Sequence, residues 1–180
     1  VKGGNYLEAL AKTEVVVFDK TGTLTKGVFK VQEIVPEDLP KEALLEMAAY
    51  AESFSRHPIS RSLLEAFGGK IDGARISNVE EIPGHGVIAA VDGKSIAAGN
   101  GRLMNRLGVA YREAEAAGTV VHIARDRRYA GYLVVADELK GDAPGAVRDL
   151  RKAGVRRLAM LTGDAREIGE KIASQAGLDE

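Results

Sequence analysis

The chain of 180 residues contains no cysteine, so disulfides and thiolate metal sites are excluded, and a reducing compartment suits it. It has no apolar run of 18 or more residues, and therefore no expected membrane-spanning helix, and no signal-peptide pattern. Charge of one sign is lacking too: 25 basic residues meet 26 acidic ones, for a net charge of −1. That balance argues against nucleic acid or an anionic membrane surface as partner. The basic groups Arg125 to Arg128 and Arg156-Arg157 are short, lack interleaved aromatics, and read as solvated turns. No internal repeat or low-complexity segment is present. What remains is an ordinary globular composition, 45% hydrophobic and 28% charged, long enough for one domain or two small ones.

The two ends of the chain look alike. Val15-Val16-Val17-Phe18 reads as a buried strand of a parallel sheet, and Val155 to Leu161 reads as its counterpart. Helical patterns flank the second strand, with Ala143, Val147, Leu150 and Ala153 before it and Ile168, Ile172 and Ala176 after it. Gly154 and Gly177 are placed to stop those helices. Alternating helix and strand predicts a parallel α/β unit.

The middle differs. Pro40 opens a helix with a Leu44, Met47, Ala48, Ala51 stripe, and Pro58 opens another with Ile59, Leu63 and Phe67, stopped at Gly68-Gly69. Val87 to Val91 and Ser95 to Ala98 flank Asp92-Gly93, a strong two-residue hairpin signal. Thr119 to Ala124 and Tyr129 to Ala136 suggest a second hairpin around Asp126-Arg127. The simplest architecture is a parallel α/β domain, residues 1–25 and 137–180, interrupted by an α+β domain with an antiparallel sheet, residues 26–136.

Chemistry concentrates at Asp19-Lys20-Thr21-Gly22-Thr23-Leu24-Thr25. A carboxylate at the carboxyl end of a parallel strand lies where open α/β sheets place their ligands, and it is a candidate nucleophile. The Thr/Gly loop after it offers hydroxyls and backbone N–H groups suited to phosphate. Thr162-Gly163-Asp164 ends the second strand and starts a helix, where N–H groups favour an anion. Asp164 reads equally well as a plain helix N-cap. Ser55-Arg56-His57-Pro58 reads as a helix start, Pro83-Gly84-His85-Gly86 as a tight turn, and Asn100 after Gly99 as the N-cap of a short helix carrying Leu103 and Leu107. His122, among Val121 and Ile123, reads as structural, and His85 as an exposed loop residue.

The DKTGTLT heptad resembles the signature of the P-type ATPases, ion pumps that pass through an aspartyl-phosphate, and the later motifs resemble the heavy-metal branch. The resemblance spans essentially the whole chain. It implies a haloacid-dehalogenase-like phosphorylation domain interrupted by a nucleotide-binding domain, forming the cytoplasmic portion of a membrane protein. It implies that ATP phosphorylates Asp19, with Lys20, Thr21, Thr162, Gly163 and Asp164 around the phosphoryl group, and that Mg²⁺ takes a carboxylate oxygen of Asp19 and the carbonyl of Thr21. It further implies that Glu52 contacts the adenine edge, that His57 orients the nucleotide, and that Gly84, Gly86 and Asn100 lie near it. A phosphate-contacting lysine and a GDGxND motif of the family do not occur before Glu180. The chain is therefore expected to be a fragment that binds ATP but scarcely phosphorylates itself. Its expected partner is the transmembrane metal-transport domain of the same pump, with zinc, cadmium or lead favoured over copper. Two alternatives stand beside it: a haloacid-dehalogenase-type phosphatase, and an ATP-binding module without catalysis. The phosphatases place a second Asp two residues after the nucleophile; Thr21 holds that place, and a hydroxyl does not readily activate water.

Overall fold

The computed structural model describes residues 4–114, 116, 118–163 and 166–180. The chain divides into two compact units, Val1–Val28 with Asp137–Glu180, and Phe29–Ala136.

In the first unit, α1 (Gly4–Ala11) leads into β1 (Val15–Asp19). β1 pairs in parallel with β8 (Arg157–Leu161), in register from Val15 with Arg157 to Asp19 with Leu161. Between them in sequence comes α5 (Ala143–Lys152), and after β8 comes α6 (Arg166–Ala176). Val147, Val155 and Leu158 form a small core against Val16, Phe18, Leu150 and Leu178. The parallel pairing agrees with the sequence reading, but full burial of β1 does not. Val15 and Val17 are 54% and 59% exposed, and Leu161 is 70% exposed. The pleat sends alternate side chains to opposite faces. The face carrying Val16 and Phe18 is packed against the small core, and the other face is open.

The second unit is built on a six-stranded sheet in the order β2-β7-β6-β5-β4-β3. The strands are β2 (Thr25–Pro36), β3 (Ile76–Ile82), β4 (Gly86–Val91), β5 (Lys94–Gly99), β6 (Thr119–Arg125) and β7 (Arg128–Leu139), so β2 and β7 each extend into the first unit. The pairs from β3 through β7 are antiparallel. Asp92-Gly93 turns β4 into β5, with both residues at positive φ. Asp126-Arg127 does the same for β6 and β7 without a glycine.

Helices α2 (Lys41–Glu52) and α3 (Pro58–Phe67) cover one face of this sheet. Leu44, Ala48, Ala51 and Leu63 pack there on Ala89, Ile96, Ala98, Val121, Ile123, Leu133 and Val135. The other face carries α4 (Gly101–Leu107), whose Leu103 and Met104 meet Ile82, Ala97 and Ala124. The alternation of Ala97 and Ala98 between two cores is the period of two at work. Among the described residues, no helix is long and apolar enough to cross a membrane.

Arg75 locks the first layer down. Its guanidinium lies 4.5 Å from the centre of the Tyr50 ring and donates to Asp92, to Glu46 Oε1 (2.9 Å) and to the Tyr50 hydroxyl (2.9 Å). Asp92 is held below the usual carboxylate range by that guanidinium. The same contacts tie α2 to the β4–β5 hairpin.

Leu44 is wholly buried between α2 and the sheet. Leu44→Ala should lower unfolding stability by about 2–5 kcal/mol, through lost burial and the cavity left behind. Urea unfolding with an unchanged denaturant slope checks this.

Candidate active site

Asp19 ends β1, and the chain then enters a tight turn over Lys20–Leu24 in which Thr21 is extended and Gly22 takes φ +78°. That φ suits glycine and lets the loop double back. Thr25, completely buried, closes it: its hydroxyl accepts from Gly22 N (3.2 Å) and lies 2.9 Å from the Lys20 carbonyl. The hydroxyl donates to Asp137 Oδ2 at 2.6 Å, while Asp137 Oδ1 accepts from Val28 N at 3.0 Å. Lys140 braces the same loop, donating Nζ to Gly22 O (2.8 Å) and its backbone N to Leu24 O (2.9 Å). The register of β1 with β8 puts Asp19 beside Leu161, so Thr162 and Gly163 leave the sheet at the edge where Asp19 stands. Asp164 lies outside the described residues.

One carboxylate and one carbonyl, Asp19 and Thr21, are hard oxygen donors that fit Mg²⁺. Among the described residues, no group of three or more acidic, His or Cys side chains gathers to hold a metal ion.

The second unit holds a separate cavity of about 280 Å³ at one end of its sheet. Glu52 at the end of α2, His57 and Ser60 at the start of α3, Gly84 and Gly86 in the β3–β4 turn, and Asn100 after β5 all line it, with Ile82, Val87 and Val121 as apolar wall. The five residues that the family resemblance implies for nucleotide contact therefore border one space.

Each is fixed by the local fold. His57 caps α3, its Nδ1 accepting from Ile59 N at 3.3 Å, so a neutral ring carries its proton on Nε2. Asn100 caps α4 through Oδ1 and donates Nδ2 to Gly84 O at 2.8 Å, so it also clamps the glycine turn. Gly86, at φ +145°, has no room for a side chain: a Cβ would meet Ala98 O at 2.2 Å. Its absence lets β4 and β5 approach. Glu52 is 7% exposed and takes a 2.6 Å hydrogen bond from Ser60 Oγ. Burial pushes its carboxyl up, Ser60 and His57 pull it down, and Glu81 pushes it up, with burial the largest effect.

His122, read as structural, is buried on the other face, with Nδ1 2.9 Å from the Tyr129 hydroxyl and its ring 4.7 Å from that of Tyr111. Burial lowers its pKa. The sequence reading missed Asp137, Lys140 and Ser60. Asp137 and Lys140 are partners of a loop more than a hundred residues away and carried no local signal.

Residues 13–180 match the family described as haloacid dehalogenase-like hydrolase. The chain belongs to the haloacid dehalogenase-like hydrolases. Within that family it resembles metal-transporting ATPases along its whole length. It is 51% identical, over 100% of its residues, to a cadmium, zinc and cobalt-transporting ATPase of Bacillus subtilis, and 46% identical, over 99%, to a zinc-transporting ATPase of Synechocystis. It covers 26% and 25% of those proteins, so it spans about a quarter of the length of the curated relatives it matches. The crystal structure of a zinc-transporting PIB-type ATPase in its E2.Pi state superposes with a TM-score of 0.80 at 30% identity, over 99% of this chain and 30% of that one.

Two outcomes follow from the site. Asp137→Ala should destabilise the folded state by about 1–3 kcal/mol, because it removes the acceptor of the Val28 N–H and the nearer of the two acceptors of the buried Thr25 hydroxyl; urea unfolding measures it. Glu52 has the opposite sign. Its folded pKa is raised, so the stability it contributes is present at low pH and is lost as pH rises above 4.5 through the folded value. Glu52→Gln should therefore melt higher than wild type near neutral pH, with the gap closing toward about pH 4, in thermal scans across that range.

Proposed function

We propose that this chain is the ATP-binding and phosphorylation region of a P-type ATPase exporting heavy-metal cations of the zinc and cadmium class. The observation that carries the reading is the gathering of Glu52, His57, Gly84, Gly86 and Asn100 around one cavity. They come from two helices, a turn and a strand end, and no packing need requires that set at one place. The cavity lies near the lower bound of small-molecule sites, about 300–1,000 Å³, which suits a purine and its sugar with the phosphates outside.

In this reading Glu52 accepts from the base, His57 orients the nucleotide, and the glycine turn held by Asn100 admits the ligand to backbone. Asp19 is the nucleophile. A carboxylate oxygen of Asp19 attacks the γ-phosphorus, the bond to the β,γ-bridging oxygen breaks, and ADP departs with the electron pair. The Thr/Gly loop and Thr162-Gly163 supply donors for the charge that gathers on the transferred oxygens. Mg²⁺, held by Asp19 and the Thr21 carbonyl, would neutralise part of that charge. Thr21 stands where a phosphatase of the family would carry its acid–base Asp, which favours a lasting phosphoenzyme over direct hydrolysis. The transported cation is the pump's substrate; it would be held by a transmembrane domain, with this region on the cytoplasmic side.

Calorimetric titration tests the binding half. ATP should bind saturably with one-to-one stoichiometry, and His57→Gln should weaken it about ten-fold, the worth of one good hydrogen bond. Absence of binding to the folded chain overturns the nucleotide assignment.

A further inference from the structure

Ser60 has a part that neither helix formation nor packing demands. It sits in the first turn of α3, 1% exposed, and sends its hydroxyl away from its own helix to Glu52 Oε2 at 2.6 Å. The neighbouring Ser62 shows the ordinary alternative, giving its hydroxyl back to Ile59 O at 2.6 Å. An alanine at position 60 would fill the helix equally well.

The carboxylate it holds is nearly enclosed and borders the cavity. No described residue hydrogen-bonds its second oxygen, Oε1. The charged and titratable groups around Glu52 are His57 from α3, Glu81 from β3 and His85 from the β3–β4 turn, which share the cavity wall.

We propose that Ser60 is a positioning residue for base recognition: by holding Oε2 it fixes the Glu52 carboxylate in one orientation, leaving Oε1 as an acceptor for the exocyclic amino group of a purine. This rests on the nucleotide-binding reading of the cavity. A carboxylate loose in its pocket could turn either oxygen inward, or take a proton and become a donor to a 6-oxo purine. A short hydrogen bond to one oxygen opposes both. Ser60 thereby favours a 6-amino over a 6-oxo purine. It also sets the acid edge of binding, because its hydroxyl lowers the Glu52 pKa against the upward push of burial and Glu81.

The test is calorimetric titration of ATP and of inosine triphosphate, which differ at the C6 substituent and the N1 proton, over a series of pH values from mildly acidic to neutral. Wild type should prefer ATP. Ser60→Ala should weaken ATP about ten-fold, change inosine triphosphate little, and move the acid limb of ATP binding upward. Ser60→Thr should restore part of the preference. Glu52→Gln, whose amide can donate, should level or invert the ATP preference even if Ser60→Ala does not fold. If Ser60→Ala or Glu52→Gln keeps the wild-type ratio and acid limb while ATP still binds, the positioning role is overturned and the nucleotide site stands. If folded wild type binds neither nucleotide, the nucleotide reading falls and this inference with it.

Discussion

One carboxylate holds together the point where the inserted unit departs and returns. Asp137, just after the unit's last residue, bonds Thr25 Oγ1 and Val28 N, just before its first. An insertion of this kind needs its two ends pinned at one place, or the interrupted sheet pays for a long loose loop. Because Thr25 also closes the turn behind Asp19, the same hydrogen bonds that anchor the insertion shape the loop that follows Asp19. Lys140 adds a second brace from the returning strand.

The two sites place their carboxylates in opposite surroundings. Asp19 ends an exposed strand beside a loop rich in backbone donors. Glu52 is buried, against its own solvation, in a wall of Ile82, Val87 and Val121. A fold selected for stability alone would put a neutral residue there. That it holds a carboxyl, with a serine committed to it, costs stability at that position and is what the proposed recognition role accounts for.

Much of this was legible beforehand, for stated reasons. The hairpin at Asp92-Gly93, the apolar strands β1 and β8, and the helices ended by Gly68 and Gly177 carry strong local signals, and the alternation of helix and strand made the parallel pairing legible. The edge strands β2 and β3 went unread. In β3 the apolar residues Ile76, Val79 and Ile82 recur every third position, because a bulge between Ser77 and Glu80, with Asn78 at φ +50°, breaks the alternation. In β2 only Phe29, Val31 and Ile34 reach the core, amid exposed Lys and Glu. In α1, Leu7 and Leu10 are exposed, so these two apolar residues do not mark a core-facing stripe. Glu52 and His57 were named only through family resemblance, since each has an ordinary structural role. Ser60 escaped because its meaning depends on a partner in another helix.

The aromatic residues are unevenly shared between the units. The chain has five tyrosines and no tryptophan. Tyr50, Tyr111, Tyr129 and Tyr132 all belong to the unit Phe29–Ala136, where Tyr50 lies under Arg75 and the other three surround His122. With Tyr6 alone in the other unit, ultraviolet emission from this protein is mostly a signal from the unit Phe29–Ala136. Melting of the Asp19 unit would reach it through one tyrosine alone, and would be read more fully in the circular dichroism of the backbone.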